Sequence, residues 1–179
     1  MDNLTASEFA DARIRPVYDR PANPENLKEA LRTLGGGVSI VSAGEGDFRS
    51  GATVTSATAL SVDPPRMLVS LNRASSTWPV VERFRHFAVN IVGSSHESLA
   101  NRFAGIGGIK GAERYHGAEW TTLASGAPVL EDAVAALDCE VEEAIERHSH
   151  VIIIGKVLAI RLGSGNSLLY QNGKYHSVD

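Results

Sequence analysis

Residues 137–160 read LDCEVEEAIERHSHVIIIGKVLAI. In the first half Leu137, Cys139, Val141 and Ile145 alternate with Asp138, Glu140 and Glu142, the period-two pattern of a strand with one wet face. The acids on that face are expected to be solvated, with no chemistry of their own. The second half, 150–160, is apolar on both faces apart from His150 and Lys156, which places it in the middle of a barrel or sheet. Gly155 inside the run predicts a bulge or bend.

Working outward, strands dominate. Residues 38–41 and 51–58 flank the turn-rich SAGEGDFRS and read as a hairpin, and strand-like runs follow at 67–71 and 87–92. Between these runs STWPVVERF predicts a short helical connection limited by Pro79, and 95–103 a second short helix. An earlier helix starts at Asn23 as cap, with Pro24 at its first position and Glu25 in its first turn. Leu27, Ala30, Leu31 and Leu34 share one face of it, and Gly35, Gly36 and Gly37 stop it. Many short strands with few helices predict a closed or partly closed β-barrel. The βαβ alternation of a dinucleotide fold is missing, and LGGGVS at 34–39 follows a helix instead of a strand.

A chain of 179 residues, 43% hydrophobic and 21% charged, suits one core and therefore one domain. Residues 1–22, with Pro16 and Pro21, read as an N-terminal arm, and 23–179 as the domain. A net charge of -4 without a basic cluster argues against nucleic acid. The start of the chain lacks the basic-then-apolar pattern of a secretory signal, and no apolar run nears the roughly 20 residues that span a bilayer. A soluble, cytoplasmic protein is expected. Cys139 is the single cysteine, so no internal disulfide or multi-cysteine metal site forms, and packing is its expected role.

Residues 51–76, GATVTSATALSVDPPRMLVSLNRASS, are dense in hydroxyls. On an extended segment Thr53, Thr55 and Ala57 share one face and Ala52, Val54 and Ser56 the other. Such small side chains let a planar ligand approach the backbone, whose N–H and C=O groups can bond a ring edge. Ser61, Ser75, Ser76 and Thr77 add donors suited to phosphate, and Arg73 adds charge. The structural alternative is that Thr favours strands and Ser favours turns. In HSH at 148–150, His148 and His150 would share a strand face. Two histidines there suit either a metal lacking a third ligand or hydrogen bonding at a strand end.

The succession from GATVTSATALSVDPPRMLVSLNRASSTWP through FAVNIV, LANRFA and LDCEVEEAIERHSHVIIIGKVLAI to LLYQNGKY resembles the flavin reductase family. These are short NAD(P)H:flavin oxidoreductases that include the reductase components of two-component flavin monooxygenases. The resemblance runs from about Leu27 to Tyr175. It implies a mainly β fold, a six-stranded split barrel of Greek-key topology, usually a homodimer, that binds FMN or FAD. It implies that Thr53, Val54, Thr55 and Ser56 border the isoalloxazine ring and that Ser61 lies toward the ribityl phosphate. Asn72, Arg73, Ser75 and Ser76 match an N-R-x-S segment on the flavin chain and phosphate, and Phe103 matches an aromatic near the ligand. His150 matches the histidine of a Gly-Asp-His or Gly-Thr-His motif that seats the nicotinamide of NADH or NADPH. Here His148 and Ser149 replace the first two residues, a departure that bears on pyridine-nucleotide affinity and on the choice between the two donors.

The implied function is reduction of FMN or FAD by NADH or NADPH through hydride transfer to flavin N5, supplying a separate monooxygenase. The alternative is a flavin-binding electron carrier, or a reductase serving a ferric chelate or a cobalt corrinoid. Hydride transfer between stacked rings needs no protein nucleophile. Trp78 and Trp120 could stack on a ring, although core or interface is the commoner use. Tyr170 and Tyr175, on a hairpin around Asn172 and Gly173, are expected to line the cofactor pocket. The glycine-rich stretch 102–117 is expected to be a mobile cover.

Overall fold

In the computed structural model residues 19–178 are described, so the arm expected at 1–22 lies mostly outside them. Helix α1 (Pro24–Arg32) starts as its sequence predicts, with Asn23 Oδ1 accepting the Asn26 N–H at 2.9 Å. Leu27 and Leu31 on its apolar face, and Leu34 just past its end, are all more than half exposed.

The strands follow in order: β1 (Gly36–Gly37), β2 (Ser39–Ala43), β3 (Ser50–Val54), β4 (Thr58–Ser61) and β5 (Arg66–Asn72). After helix α2 (Trp78–Phe84) comes β6 (His86–Ile91), then helix α3 (Glu97–Phe103). The chain closes with β7 (Trp120–Thr122), β8 (Pro128–Leu130), β9 (Ala135–Arg147), β10 (His150–Leu162), β11 (Leu168–Gln171) and β12 (Lys174–Ser177). The main sheet has the order β3-β2-β6-β9-β10-β5-β4, while β7-β8 and β1-β11-β12 form two small sheets.

The two edges of the main sheet, β3 and β4, are separated in sequence by only Thr55, Ser56 and Ala57. Three residues reach at most about 10 Å, so the sheet must curl until its edges nearly meet. The edges do not pair, which makes the barrel split rather than closed. With β3 and β4 taken as halves of one broken strand, the main sheet has the six strands of the expected architecture.

Two apolar clusters flank the sheet. The inner one gathers Val41, Val69, Leu71, Phe87, Val89, Cys139, Val141, Val151 and Ile153, the inward positions of successive strands. The outer one packs Ile40, Ala88 and Ala136 under α3 and the β7–β8 hairpin. All five residues of β2 are therefore buried. The β9–β10 register shifts at Ile154/Gly155, confirming a bulge there. A Cβ on Gly155 would lie 2.5 Å from Phe87 Cζ, so this inner position admits only glycine.

Three expectations need correction. Asp138 is fully buried, because its carboxylate accepts the Ser125 backbone N–H at 2.7 Å and is bonded by the Ser125 hydroxyl. The alternation missed it because a loop folds over that end of β9. His148 sits in the β9–β10 turn with φ 51, outside both strands, so it does not share a strand face with His150. The stretch 102–117 is anchored: Arg114 donates to the carbonyls of Ile109, Gly51 and Phe103, and the Tyr115 hydroxyl donates to Ser50 O at 2.6 Å. Burial pushes the Tyr115 phenol well above its usual range and lowers Arg114.

Candidate functional site

The split itself forms a cleft of about 330 Å³. One wall is β3 and the bridging turn, Ala52 to Ser56; the other is the end of β5, Ser70 to Asn72, with Ser75 and His150 at the rim. The wall on the β5 side arises because β4 is short. Thr58 stands opposite Leu68, so Val69 to Asn72 run on past the end of β4 and are paired only with β10 on the other side. The β3 wall is the sheet's other edge, paired only with β2. Both walls therefore turn backbone N–H and C=O groups toward the gap, as sheet edges do.

The hydroxyls hold these walls in place. Ser56 Oγ donates to Ser70 O at 2.8 Å and accepts the Ser70 N–H at 3.3 Å, fastening the turn across the split. Thr53 Oγ1 donates to Ala100 O at 2.5 Å, tying β3 to α3. Thr55 packs against β1, where a Cβ on Gly36 would lie 3.0 Å from its Cβ. Thr53, Val54 and Thr55 also border a second cleft of about 350 Å³, with Asn101, Ile106, Tyr170 and Tyr175 on its far side. The two tyrosine rings meet edge to face at 5.1 Å. The Asn172–Gly173 turn that presents them has φ values of 52 and 79, as its sequence predicts.

Of the residues singled out from the sequence, Thr53, Val54, Thr55, Ser56, Asn72, Ser75 and His150 converge on the split. Asn72 Oδ1 accepts the Ala74 N–H at 2.8 Å, and Ser75 Oγ accepts the Trp78 N–H at 3.3 Å. His150 is exposed, opposite Asn72 in the register, with Nδ1 2.9 Å from Ser149 Oγ. Ser76 faces an adjoining cleft and lies 3.3 Å from Ser50 Oγ.

Three residues are placed elsewhere. Ser61 stands beside Arg66, six positions along β5 from Asn72, or about 20 Å at strand rise. Arg73 is occupied: its guanidinium lies 2.6 Å from Glu146 and donates to His148 O at 3.3 Å. Phe103 is 1% exposed in the outer core, 5.0 Å from the Tyr115 ring and 5.6 Å from Trp120. Its edge fills the space where a Cβ on Gly51 would sit, 2.5 Å from Phe103 Cε1, so it supports β3 from behind. The sequence reading missed Ser70, although a lone serine in the apolar run MLVSL was a visible signal.

A flavin fits this donor set. Two strand edges supply backbone donors and acceptors for the rim of a planar ring, and small side chains leave the ring room to approach them.

The sequence profile of the flavin reductase-like domain matches residues 31–179. An FMN reductase (NADH), RutF, from Bradyrhizobium diazoefficiens is 35% identical over 156 residues, covering 87% of this chain and 86% of the relative. A RutF of the same description from Variovorax paradoxus is 31% identical over 177 residues, 98% of this chain and 97% of its own. Among solved structures, a flavin reductase candidate from Haemophilus somnus superposes with a TM-score of 0.84 at 32% identity, covering 88% of this chain and 100% of the other. A split barrel with two facing edges and a match across the whole domain lead to one conclusion: the chain belongs to the flavin reductase-like family of oxidoreductases.

Proposed function

We propose that this protein reduces FMN or FAD with NADH, the flavin ring lying in the split, and passes the reduced flavin to a separate oxygenase. The observation that carries the reading is the cleft between the β3 and β5 edges, which gathers seven of the predicted binding residues. The named activity of the RutF relatives supports the choice of FMN and NADH. Similarity to nitrilotriacetate monooxygenase component B from Mycobacterium thermoresistibile, 25% identical with a TM-score of 0.78 over 87% of this chain and 86% of the other, supports the oxygenase partner.

The bound flavin supplies N5 as the two-electron hydride acceptor, and the nicotinamide ring supplies the hydride. The protein's own part is positioning. The backbone of residues 53–56 orients the ring edge, and Ser56 holds that backbone at a fixed distance from β5. Asn72 and Ser75, on the cleft wall, would hold the flavin tail. His150, at the open rim with Nδ1 engaged by Ser149, would leave Nε2 to meet the nicotinamide nucleotide.

The decisive experiment is anaerobic mixing of the protein with NADH and excess FMN or FAD while flavin bleaching is followed. Rapid bleaching is expected. Tight flavin binding without bleaching would reverse the proposal in favour of an electron carrier. His150→Ala should raise the KM for NADH by about tenfold, the loss of a hydrogen bond or two, and leave flavin affinity unchanged. Unaltered NADH kinetics would remove His150 from the mechanism.

The same proposal includes a homodimer. Leu158, Ile160 and Leu162 alternate on one face of β10 and stay exposed, at 39%, 57% and 82%, where an outer strand face is ordinarily wet. Sedimentation equilibrium showing only monomer would refute this.

A further inference from the structure

Helix α3 backs the β3 wall: Ala100 O accepts the Thr53 hydroxyl at 2.5 Å, and the Phe103 edge fills the space beside Gly51. One helical turn before Ala100, at the entry to α3, stands His96, a residue that touches neither cleft of the site and is only 8% exposed. Its Nδ1 accepts the N–H of Gly93 at 3.1 Å, and its own backbone N–H donates to Gly93 O at 2.9 Å. This reciprocal pair fixes where α3 begins. In such a capping arrangement the side chain that reaches back is ordinarily Glu or Gln. A histidine in that place adds a group that titrates near neutral pH.

The hydrogen bond also fixes the tautomer. Nδ1 is an acceptor, so the proton of the neutral ring is on Nε2, which lies 3.0 Å from Asp132 Oδ1. A second proton can then enter only at Nδ1, where it displaces the Gly93 N–H. Asp132 attracts the imidazolium and keeps the ring in place, so the bond to Gly93 is the one that gives way. Gly93 is buried, and its amide is left without a partner, which is costly for a buried donor. A cleft of about 220 Å³, bordered by Ser98, Arg102 and Asp132, brings solvent to the ring.

The charged and titratable groups around His96 come from three segments: Glu97 and Arg102 of α3, Glu131 and Asp132 of the β8–β9 link, and His116. Arg102 donates to the His116 carbonyl, and Glu131 lies 3.5 Å from Arg161. The β10–β11 link meets this corner through the Asn166 carbonyl, which accepts the Ser94 N–H at 3.1 Å. Among the described residues Asp132 is the one in ion-pair contact with the ring.

We propose that His96 is a positioning residue for flavin binding: with its ring neutral it pins α3 behind the β3 edge, and when the ring takes a proton the pin is released and flavin is held less tightly. This rests on the flavin-reducing reading.

The test is fluorescence titration of the full chain with FMN at about pH 8 and about pH 5.5, wild type against His96→Gln. Glutamine can cap Gly93 in the same way and does not titrate. In the ratio of the two dissociation constants the titrations of the FMN phosphate and of His150 cancel. That ratio should rise from about one at the higher pH to about ten at the lower, the loss of one hydrogen bond to a buried donor. A ratio that is the same at both pH values, whatever its size, would overturn the proposal, because packing alone has no pH dependence. The second measurement needs neither the variant nor flavin. In nitrogen NMR of the wild-type chain, His96 Nδ1 should be unprotonated at about pH 8, and the Gly93 amide should shift together with its protonation. A proton already on Nδ1 at that pH, or a Gly93 amide indifferent to the ring, would also overturn it. A wild-type chain that binds no flavin at either pH would instead bring down the flavin-reducing reading, and the link from His96 to flavin with it.

Discussion

The barrel is built in opposite ways on its two sides. Between β9 and β10 the strands pair from His150 opposite Arg147 to Leu162 opposite Ala135, with Cys139, Val141, Val151 and Ile153 buried beneath. Between β3 and β5 there is no backbone pairing, and one serine, Ser56, spans the gap through the backbone of Ser70. Unpaired edges are ordinarily a liability in a sheet. They are tolerable here because the opposite side carries the barrel's cohesion, so the split can keep its hydrogen-bonding groups for a ligand. Stability and binding should accordingly respond to different substitutions.

The largest effect is expected on the paired side. Gly155→Ala forces a Cβ to within 2.5 Å of Phe87 and 3.0 Å of Cys139 Cβ, which should cost about 1–3 kcal/mol and lower Tm by several degrees, roughly 2–4 °C per kcal/mol for a chain of this size. A melting temperature within a degree of wild type would show that the bulge can yield. Ser56→Ala on the split side should cost less, about 1 kcal/mol. Its flavin affinity should nevertheless fall several-fold, on the order of the same free energy. Unchanged flavin titration in that variant would mean that Ser56 does not set the width of the split.

The smallest effect is a pH slope. Burial, with help from the Asp138 carboxylate, pushes the Cys139 thiol from an ordinary value of 9.0 up to about 12. Between those values the unfolded chain has lost this proton and the folded one keeps it, so stability present below pH 9 is lost as pH rises toward 12. Tyr115, raised chiefly by burial, acts in the same direction above pH 10. Urea melts should show about 1 kcal/mol less stability at pH 10 than at pH 8, with Cys139→Ala removing most of that difference. An identical slope in the variant would assign it to other groups.

Much of this was legible in the chain. The cap at Asn23, the bulge at Gly155, the Asn172–Gly173 turn and the alternation of β9 are local features, written in neighbouring residues. What local patterns left undecided lies where distant segments meet. Asp138 reads as a wet-face acid until Ser125 folds over it, and Phe103 reads as a ligand contact until Gly51, 52 positions earlier, is found to make room for its edge. Arg73, expected on a phosphate, meets Glu146 from the end of β9, a neighbour 73 positions away in sequence.

By itself, the sequence determined the strand-rich class, the family and the segment that borders the site, because periodicity, turn chemistry and motif order are properties of contiguous residues. Only the tertiary structure decided that β3 and β4 are the two edges of one curled sheet and that Ser56 fastens the turn between them to β5 through Ser70. It likewise decided that, among the described residues, Arg73 and not Arg49 or Arg83 is held in an ion pair. Those outcomes depend on register and closure, which set distances between residues that no local pattern relates.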